Sequence, residues 1–125
     1  MIRSMRNDAR EDARQFIQAR LDAGEKVRGY EVDRRLKERF EQLGCAQYLM
    51  HRTGHNIGHR CHGIGANLDD YETHDDRCLL PGTMFSIEPG LYTDKYGVRL
   101  EYDVHITSEG ETKVYGPVQD EILVI

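Results

Sequence analysis

The chain has 125 residues, of which 31% are charged and 38% are hydrophobic, and its formal net charge is -5. Residues 1–125 therefore match one domain with a single core, and the negative charge argues against a nucleic-acid partner. No apolar run approaches the roughly 20 residues that a membrane-spanning helix needs. The three cysteines contain no CxxC pair, which argues against a disulfide framework and favours a reduced, cytoplasmic protein.

Two amphipathic helices are predicted at the start of the chain, over residues 3–24 and 30–44. In both segments the less polar residues recur at spacings of three to four, and each segment stops at a glycine, Gly24 or Gly44. The stripe of the first is Met5, Ala9, Ala13, Phe16, Ile17 and Leu21, and that of the second is Val32, Leu36, Phe40 and Leu43. Each helix has one narrow apolar stripe and a charged back, so we expect each to cover a core on one side only.

From residue 45 onward the pattern favours strands. Residues 83–89 and 97–107 are rich in β-branched and aromatic residues and predict two strands, joined by a hairpin at 91–97. Residues 112–116 and 120–125 predict two shorter strands. In the 97–107 segment one face carries Val98, Leu100, Tyr102, Val104 and Ile106, and the other carries Arg99, Glu101, Asp103 and His105. The predicted class is α+β, with two helices packed on an antiparallel sheet.

The stretch HRTGHNIGHRCH at 51–62 holds four of the six histidines of the chain. A spacing of four would align His51, His55 and His59 on one helix face. However, Gly54 and Gly58 interrupt that helix at a cost of about 1 kcal/mol each. A strand–turn–strand passage with close backbone approach suits these glycines better. Only some of the histidines can converge in such a passage, and surface histidines without a special role remain an alternative.

Two glutamates form a second candidate signal. Glu88 closes the 83–89 strand, where a carboxylate is costly to bury unless it is paired, protonated or bound to a cation. Glu101 lies in the middle of the longest predicted strand. The alternatives are that Glu88 is solvated beyond the strand end and that Glu101 faces water. One histidine and two glutamates form a ligand set suited to Zn, Mn, Fe or Co.

Four ordered motifs resemble one family, the pita-bread metallopeptidases, which include Xaa-Pro aminopeptidase, prolidase, methionine aminopeptidase and creatinase. HRTGHNIG is similar to the family's HxTGHxIG signature, and a further histidine follows at His62. PGTMFSIEPGLY resembles its PGMxFTIEPGxY strand, and GVRLEYDVHIT resembles GVRxEDxVxVT. The helix GEKVRGYEVDRRLKERFEQLG is similar to the one before the histidine strand. The resemblance runs from about residue 8 to the end and favours the Xaa-Pro aminopeptidase and prolidase branch.

The resemblance implies a metal centre. By position, His55 and Glu88 would hold one divalent ion (Mn, Co or Zn), and Glu101 would bridge it to a second ion. Glu88 would also accept a proton from water whose pKa the metal lowers. His62 would contact the substrate carbonyl and support the oxyanion.

The resemblance also implies a pocket for a peptide substrate, with His51 and Arg99 among its lining residues. His59 has no counterpart in the family pattern, and we expect it to be solvated. The same expectation applies to His74 and His105, which lie outside the matched positions.

Part of the family site has no counterpart here. Two aspartate ligands of the family lie upstream of the first helix, and the loop aspartates Asp69, Asp70, Asp75 and Asp76 lack the matching strand context. We therefore expect one ion from this chain alone and two in a complete site. The chain matches the C-terminal half of a pita-bread domain, two helices on a curved sheet. It is a fragment, a half-domain that pairs with another chain, or a member that has lost catalysis.

An isolated half would expose a sheet edge and an apolar face. We therefore expect a homodimer or a complementary N-terminal half as partner. The function that the resemblance implies is metal-dependent hydrolysis at Xaa-Pro bonds by an aminopeptidase or dipeptidase. The alternatives are a non-catalytic relative that binds a peptide or protein, and creatinase-like hydrolysis of a small amide.

Overall fold

The computed structural model describes residues 7–119, 121 and 123–125, and it begins with the two predicted helices. Helix α1 spans Asn7–Asp22, helix α2 spans Gly29–Gln42, and a short 3-10 helix follows at Ala46–Tyr48. Gly24 and Gly44 have φ of +70° and +74°, as expected of glycines that end helices. Both predicted helices are confirmed, with Met5 outside the described part. No helix in that part is long and apolar enough to span a membrane.

In the described part of the chain, six strands form two antiparallel sheets. They are β1 (Asn56–Ile57), β2 (Met84–Ile87), β3 (Gly90–Tyr92), β4 (Gly97–Arg99), β5 (Tyr102–Ile106) and β6 (Thr112–Tyr115). The larger sheet has the order β1-β2-β5-β6, and β3 pairs with β4. The predicted α+β class, the hairpin at 91–97 and the strand at 112–116 are therefore confirmed.

The predicted strand at 97–107 is interrupted, whereas the one at 83–89 is only shorter than expected, with Met84–Ile87 as β2. Residues 97–107 form β4 and β5 with a break at Leu100–Glu101, so Glu101 does not lie in the middle of a strand. The chain leaves the pairing with β3 at this point and joins β2 in the larger sheet. Alternation of side chains continues through such a break, because the backbone stays extended while its hydrogen-bonded neighbour changes. The sequence pattern therefore could not reveal it.

The predicted strand at 120–125 is wrong for residues 121 and 123–125, which lie in no strand. Residues 120 and 122 are outside the described part. The side chains of Leu123, Val124 and Ile125 are exposed. This apolar run therefore has the composition of a strand, but no strand pairs with its described residues and no core covers them.

The core lies between the helices and one face of the larger sheet. Phe85, Ile87, Val104 and Ile106 are fully buried on that face. Opposite them, the stripes of the helices are buried at Ala9, Ala13, Ile17, Val32, Leu36 and Phe40, whereas Leu43 is exposed. The Tyr102 hydroxyl donates to the Arg10 carbonyl oxygen at 3.1 Å and so ties β5 to α1. The helices thus cover one face of the sheet and leave the other face available for a site.

Candidate metal site

The histidine stretch is extended chain followed by turns. Within it only Asn56–Ile57 pairs as a strand, with Met84–Phe85 of β2. A Cβ atom on Gly54 would lie 1.8 Å from the Ser86 carbonyl oxygen, so the predicted close approach is confirmed there. At Gly58 the nearest atom to such a Cβ is 3.7 Å away, so the same expectation is wrong for Gly58. The close approach at Gly54 seats His55 directly beside β2.

The strand register brings the two glutamates opposite each other. Ile87 pairs with Tyr102 in the larger sheet, and Gly90 pairs with Arg99 in the hairpin. These pairs belong to one continuous antiparallel register, in which positions 88 and 101 oppose each other. Side chains at opposed positions have Cβ atoms about 4.5–5.5 Å apart. The Glu88 and Glu101 carboxylates are therefore held close together where the chain passes between the two sheets.

His55 reaches the same place from the next strand. Its carbonyl oxygen accepts the Ser86 N–H at 2.9 Å, so His55 is opposite a residue two positions from Glu88 and on the same face. His55 Nε2 lies 3.5 Å from Glu88 Oε2. Ligand atoms of His55, Glu88 and Glu101 all lie within 4.8 Å of one another. Three residues distant in sequence thus converge on the face that the helices leave uncovered.

The electrostatics of this cluster suit a cation. Desolvation and the adjacent Glu88 carboxylate raise the pKa of Glu101 to about 7, while Arg99 opposes the shift. Glu101 itself is exposed, so the alternative that it faces water is confirmed. The Glu88 side chain is only 16% exposed, so the solvated alternative for Glu88 is wrong, although β2 does end at Ile87. Two facing carboxylates with a buried imidazole are a repulsive arrangement that a divalent ion relieves. The donor set fits the metal that the resemblance implies.

His62 lies beside His55 of the cluster, whereas His59 does not belong to the cluster. The rings of His55 and His62 have centroids 4.3 Å apart. Cys61 adds a second group of possible ligands together with these two histidines. His59 is exposed, as expected.

His51 and Arg99 lie near the cluster on the hairpin side. His51 Nε2 is 2.8 Å from the Tyr92 hydroxyl, and Arg99 pairs with Gly90. A Cβ on Gly90 would lie 2.7 Å from His51 Nε2, so Gly90 is a neighbour of both predicted pocket residues. His51 also lines a cavity of about 240 Å³ beside α2, and no other predicted site residue does so.

Sequence reasoning missed two buried residues that support the site. Asp33 Oδ1 accepts the N–H and the hydroxyl of Thr53 at 3.0 and 2.7 Å, and burial raises the pKa of Asp33. The Ser86 hydroxyl accepts the His55 N–H at 3.0 Å. The sequence could have indicated Asp33, because this aspartate falls on the apolar stripe of α2 with Leu36 and Phe40.

The loop aspartates have structural partners. Asp69 accepts the N–H groups of Tyr71 and Glu72. Asp75 accepts the Asn67 N–H and pairs with Arg77, which lowers the pKa of Asp75 to about 2. These bonds account for two buried aspartates without any role at the cluster.

The two remaining histidines, His74 and His105, differ in their exposure to solvent. His74 is exposed, but its Nδ1 lies 2.8 Å from Asp70 Oδ1. His105 is half-buried, with its ring centroid 6.0 Å from that of Tyr115. The expectation of a solvated side chain is therefore confirmed for His74, whereas His105 is only partly exposed.

Comparison with known proteins gives the family. The profile of metallopeptidase family M24 matches residues 7–108. The chain is 36% identical over 90 residues to a probable dipeptidase PepE of Mycobacterium bovis, covering 70% of this chain and 23% of the relative. It is 32% identical over 102 residues to the Xaa-Pro dipeptidase of Lactobacillus helveticus, covering 78% and 26%.

The likeness extends to solved structures. The X-Pro aminopeptidase of Thermotoga maritima superposes with a TM-score of 0.77 and 26% identity, covering 98% of this chain and 32% of that one. The predicted pita-bread type of fold is therefore confirmed. The chain spans about a quarter of the length of the curated relatives that it matches. It belongs to metallopeptidase family M24.

Proposed function

We propose that this chain is the C-terminal half of the catalytic domain of an Xaa-Pro aminopeptidase or dipeptidase. His55, Glu88 and Glu101 supply its share of the metal ligands. The observation that carries the proposal is their convergence within 4.8 Å on the sheet face opposite the helices. Two carboxylates held beside a buried imidazole repel each other and lose solvation, so this arrangement is unfavourable unless a cation binds there.

Each residue then has a distinct task. A divalent ion, when bound, lowers the pKa of water and polarises a carbonyl group. Glu88 accepts the proton of the attacking water, since it is half-buried beside His55. His62 donates a hydrogen bond to the developing oxyanion. His51 and Arg99, both next to Gly90, contact the peptide.

A complete two-metal site needs more ligands than these three residues. The three ligands described here would hold one ion with open coordination positions, and two ions would also need the two aspartate ligands of the family pattern. The cluster lies on the sheet face that the helices do not cover, where a complementary half or a second copy would meet it. We expect a homodimer in the absence of the complementary half. Sedimentation that finds a stable, well-folded monomer at micromolar concentration contradicts the homodimer.

Metal titration tests the ligand assignment. Calorimetry with Mn, Co and Zn on wild type should show one site, and His55→Ala should lose at least about tenfold in affinity. His59→Ala is the matched control, because His59 is in the same stretch and is exposed. Equal affinities for wild type and His55→Ala would reject the assignment.

Hydrolysis tests the activity. The chain, together with a complementary N-terminal half of a related enzyme, should release the first residue of an Xaa-Pro peptide only with added metal. Metal binding without hydrolysis in that mixture would favour the non-catalytic, peptide-binding alternative.

A further inference from the structure

The turn after His55 is built around the Asn56 side chain. The Gly63 N–H donates to the Asn56 carbonyl oxygen at 2.9 Å and closes the turn. A Cβ on Gly63 or Gly65 would lie 2.2 or 2.4 Å from atoms of the Asn56 side chain. A side chain at either position would therefore overlap the Asn56 amide, and the close fit brings the residues just before Gly63 back to His55.

This turn creates a second set of possible metal ligands. Ligand atoms of His55, Cys61 and His62 lie within 4.8 Å of one another. Around a tetrahedral zinc ion, such atoms lie about 3.3–3.6 Å apart, so small side-chain rotations suffice. Cys61 and His62 are exposed, which leaves them free to rotate and accessible to metal.

We propose that His55, Cys61 and His62 form a thiolate-containing Zn²⁺ site that excludes metal from the His55, Glu88 and Glu101 set. The Cys61 thiol loses its proton to solvent as the sulfur binds the ion. A water completes the coordination of the zinc.

The two sets exclude each other because they share one nitrogen. His55 Nδ1 lies 3.1 Å from the Asn56 carbonyl oxygen, to which it can donate. That bond leaves Nε2, which lies 3.5 Å from Glu88 Oε2, as the ligand atom. One imidazole nitrogen has one lone pair and binds one ion at a time. An ion held with Cys61 therefore withdraws His55 from the carboxylates.

Ligand softness decides which metal enters which set. Thiolate with two imidazoles favours zinc, whereas two carboxylates with one imidazole accept manganese. Zinc bound at Cys61 would thus prevent manganese from occupying the site of the proposed function. This consequence rests on the proposed function, whereas the thiolate set itself does not.

Cobalt spectroscopy tests the thiolate set directly. Titration of the reduced chain with Co²⁺ should produce a near-ultraviolet thiolate-to-cobalt charge-transfer band. Cys61→Ser should abolish this band, and Cys78→Ser, a half-buried cysteine outside the cluster, should keep it. Absence of the band in wild type, or its persistence in Cys61→Ser, would overturn the proposal.

Competition tests the exclusion. In wild type loaded with Mn²⁺, added Zn²⁺ should release one Mn²⁺ per zinc bound, measured by the electron paramagnetic resonance of free Mn²⁺. Cys61→Ser should need at least about tenfold more zinc for the same release. Equal zinc requirements would refute the shared ligand.

A further variant separates this inference from the proposed function. Glu101→Gln should weaken Mn²⁺ binding and keep the cobalt–thiolate band. A band without Mn²⁺ binding in wild type would leave the thiolate set standing and reject the proposed function. Mn²⁺ binding without the cobalt–thiolate band would reject the thiolate set and leave the proposed function standing.

Discussion

Gly54→Ala adds a single methyl group to the segment that carries His55 and is the most direct test of how that segment packs. The added Cβ would lie 1.8 Å from the Ser86 carbonyl oxygen and 2.7 Å from its carbon. Both atoms belong to the backbone of the neighbouring strand segment, so no side-chain rotation relieves the overlap. Carbon and carbonyl oxygen approach to about 3.3 Å at closest, so the two segments must separate by about 1.5 Å.

That separation disrupts the hydrogen bonds on either side. The Ser86 N–H donates to the His55 carbonyl oxygen at 2.9 Å, and the Glu88 N–H donates to the Thr53 carbonyl oxygen at 2.7 Å. Each is worth about 0.5–1.5 kcal/mol net, and more if its groups are left buried and unpaired. With the strain of overpacking, the free energy of unfolding should fall by about 3 kcal/mol.

The assay compares Gly54→Ala with Gly58→Ala by circular dichroism at one protein concentration. Gly58→Ala places its Cβ 3.7 Å from the nearest atom and should change the unfolding free energy by less than about 1 kcal/mol. Gly54→Ala should lower Tm by about 10 °C and should also weaken metal binding. Equal Tm and metal affinity in the two variants would show that the close approach of Gly54 to Ser86 does not hold His55 in place.

Three further predictions concern buried and titrating carboxylates. Asp33→Ala leaves the Thr53 N–H and hydroxyl unpaired and should lower the unfolding free energy by about 3 kcal/mol, against about 1 kcal/mol for Thr53→Val; thermal melts that rank them the other way would contradict this. The folded pKa of Glu101 is about 7 against an ordinary 4.5, so the metal-free folded chain holds a proton that the unfolded chain releases. Its stability should fall as pH rises from about 4.5 to 7, and urea unfolding in chelator should show this slope shrinking in Glu101→Gln. Asp75 has the opposite sign: its folded pKa of about 2 lies below 3.8, so its contribution should be lost as pH falls from about 4 to 2, and Asp75→Asn should weaken that acid dependence.

Local patterns were sufficient for the helices and for the motif positions. The apolar spacing and the terminal glycines located α1 and α2 to within a few residues, because both signals arise from contacts within one or two turns. Alternation assigned the buried face at Val104 and Ile106 correctly, since side-chain direction in extended chain has a period of two. The family motifs then selected His55, Glu88 and Glu101.

The break at Leu100–Glu101 could not be read in the same way. It depends on which strand lies alongside β4 and β5, and the partners Gly90 and Ile87 are more than eight residues distant. The strand prediction was wrong at 123–125 for the same reason: the composition there suits a strand, but no neighbouring strand pairs with the described residues. A strand requires a neighbour, and composition does not supply one.

The strand register also determines which side chains lie together in the cluster. Nothing local indicates that Glu88 and Glu101 oppose each other or that Ser86 accepts the His55 N–H. Those relations depend on pairing between segments about ten to thirty residues apart, and a shift of one residue would turn each side chain to the other face. The sequence therefore identified the candidate ligands, and the strand register brought their ligand atoms within 4.8 Å of one another.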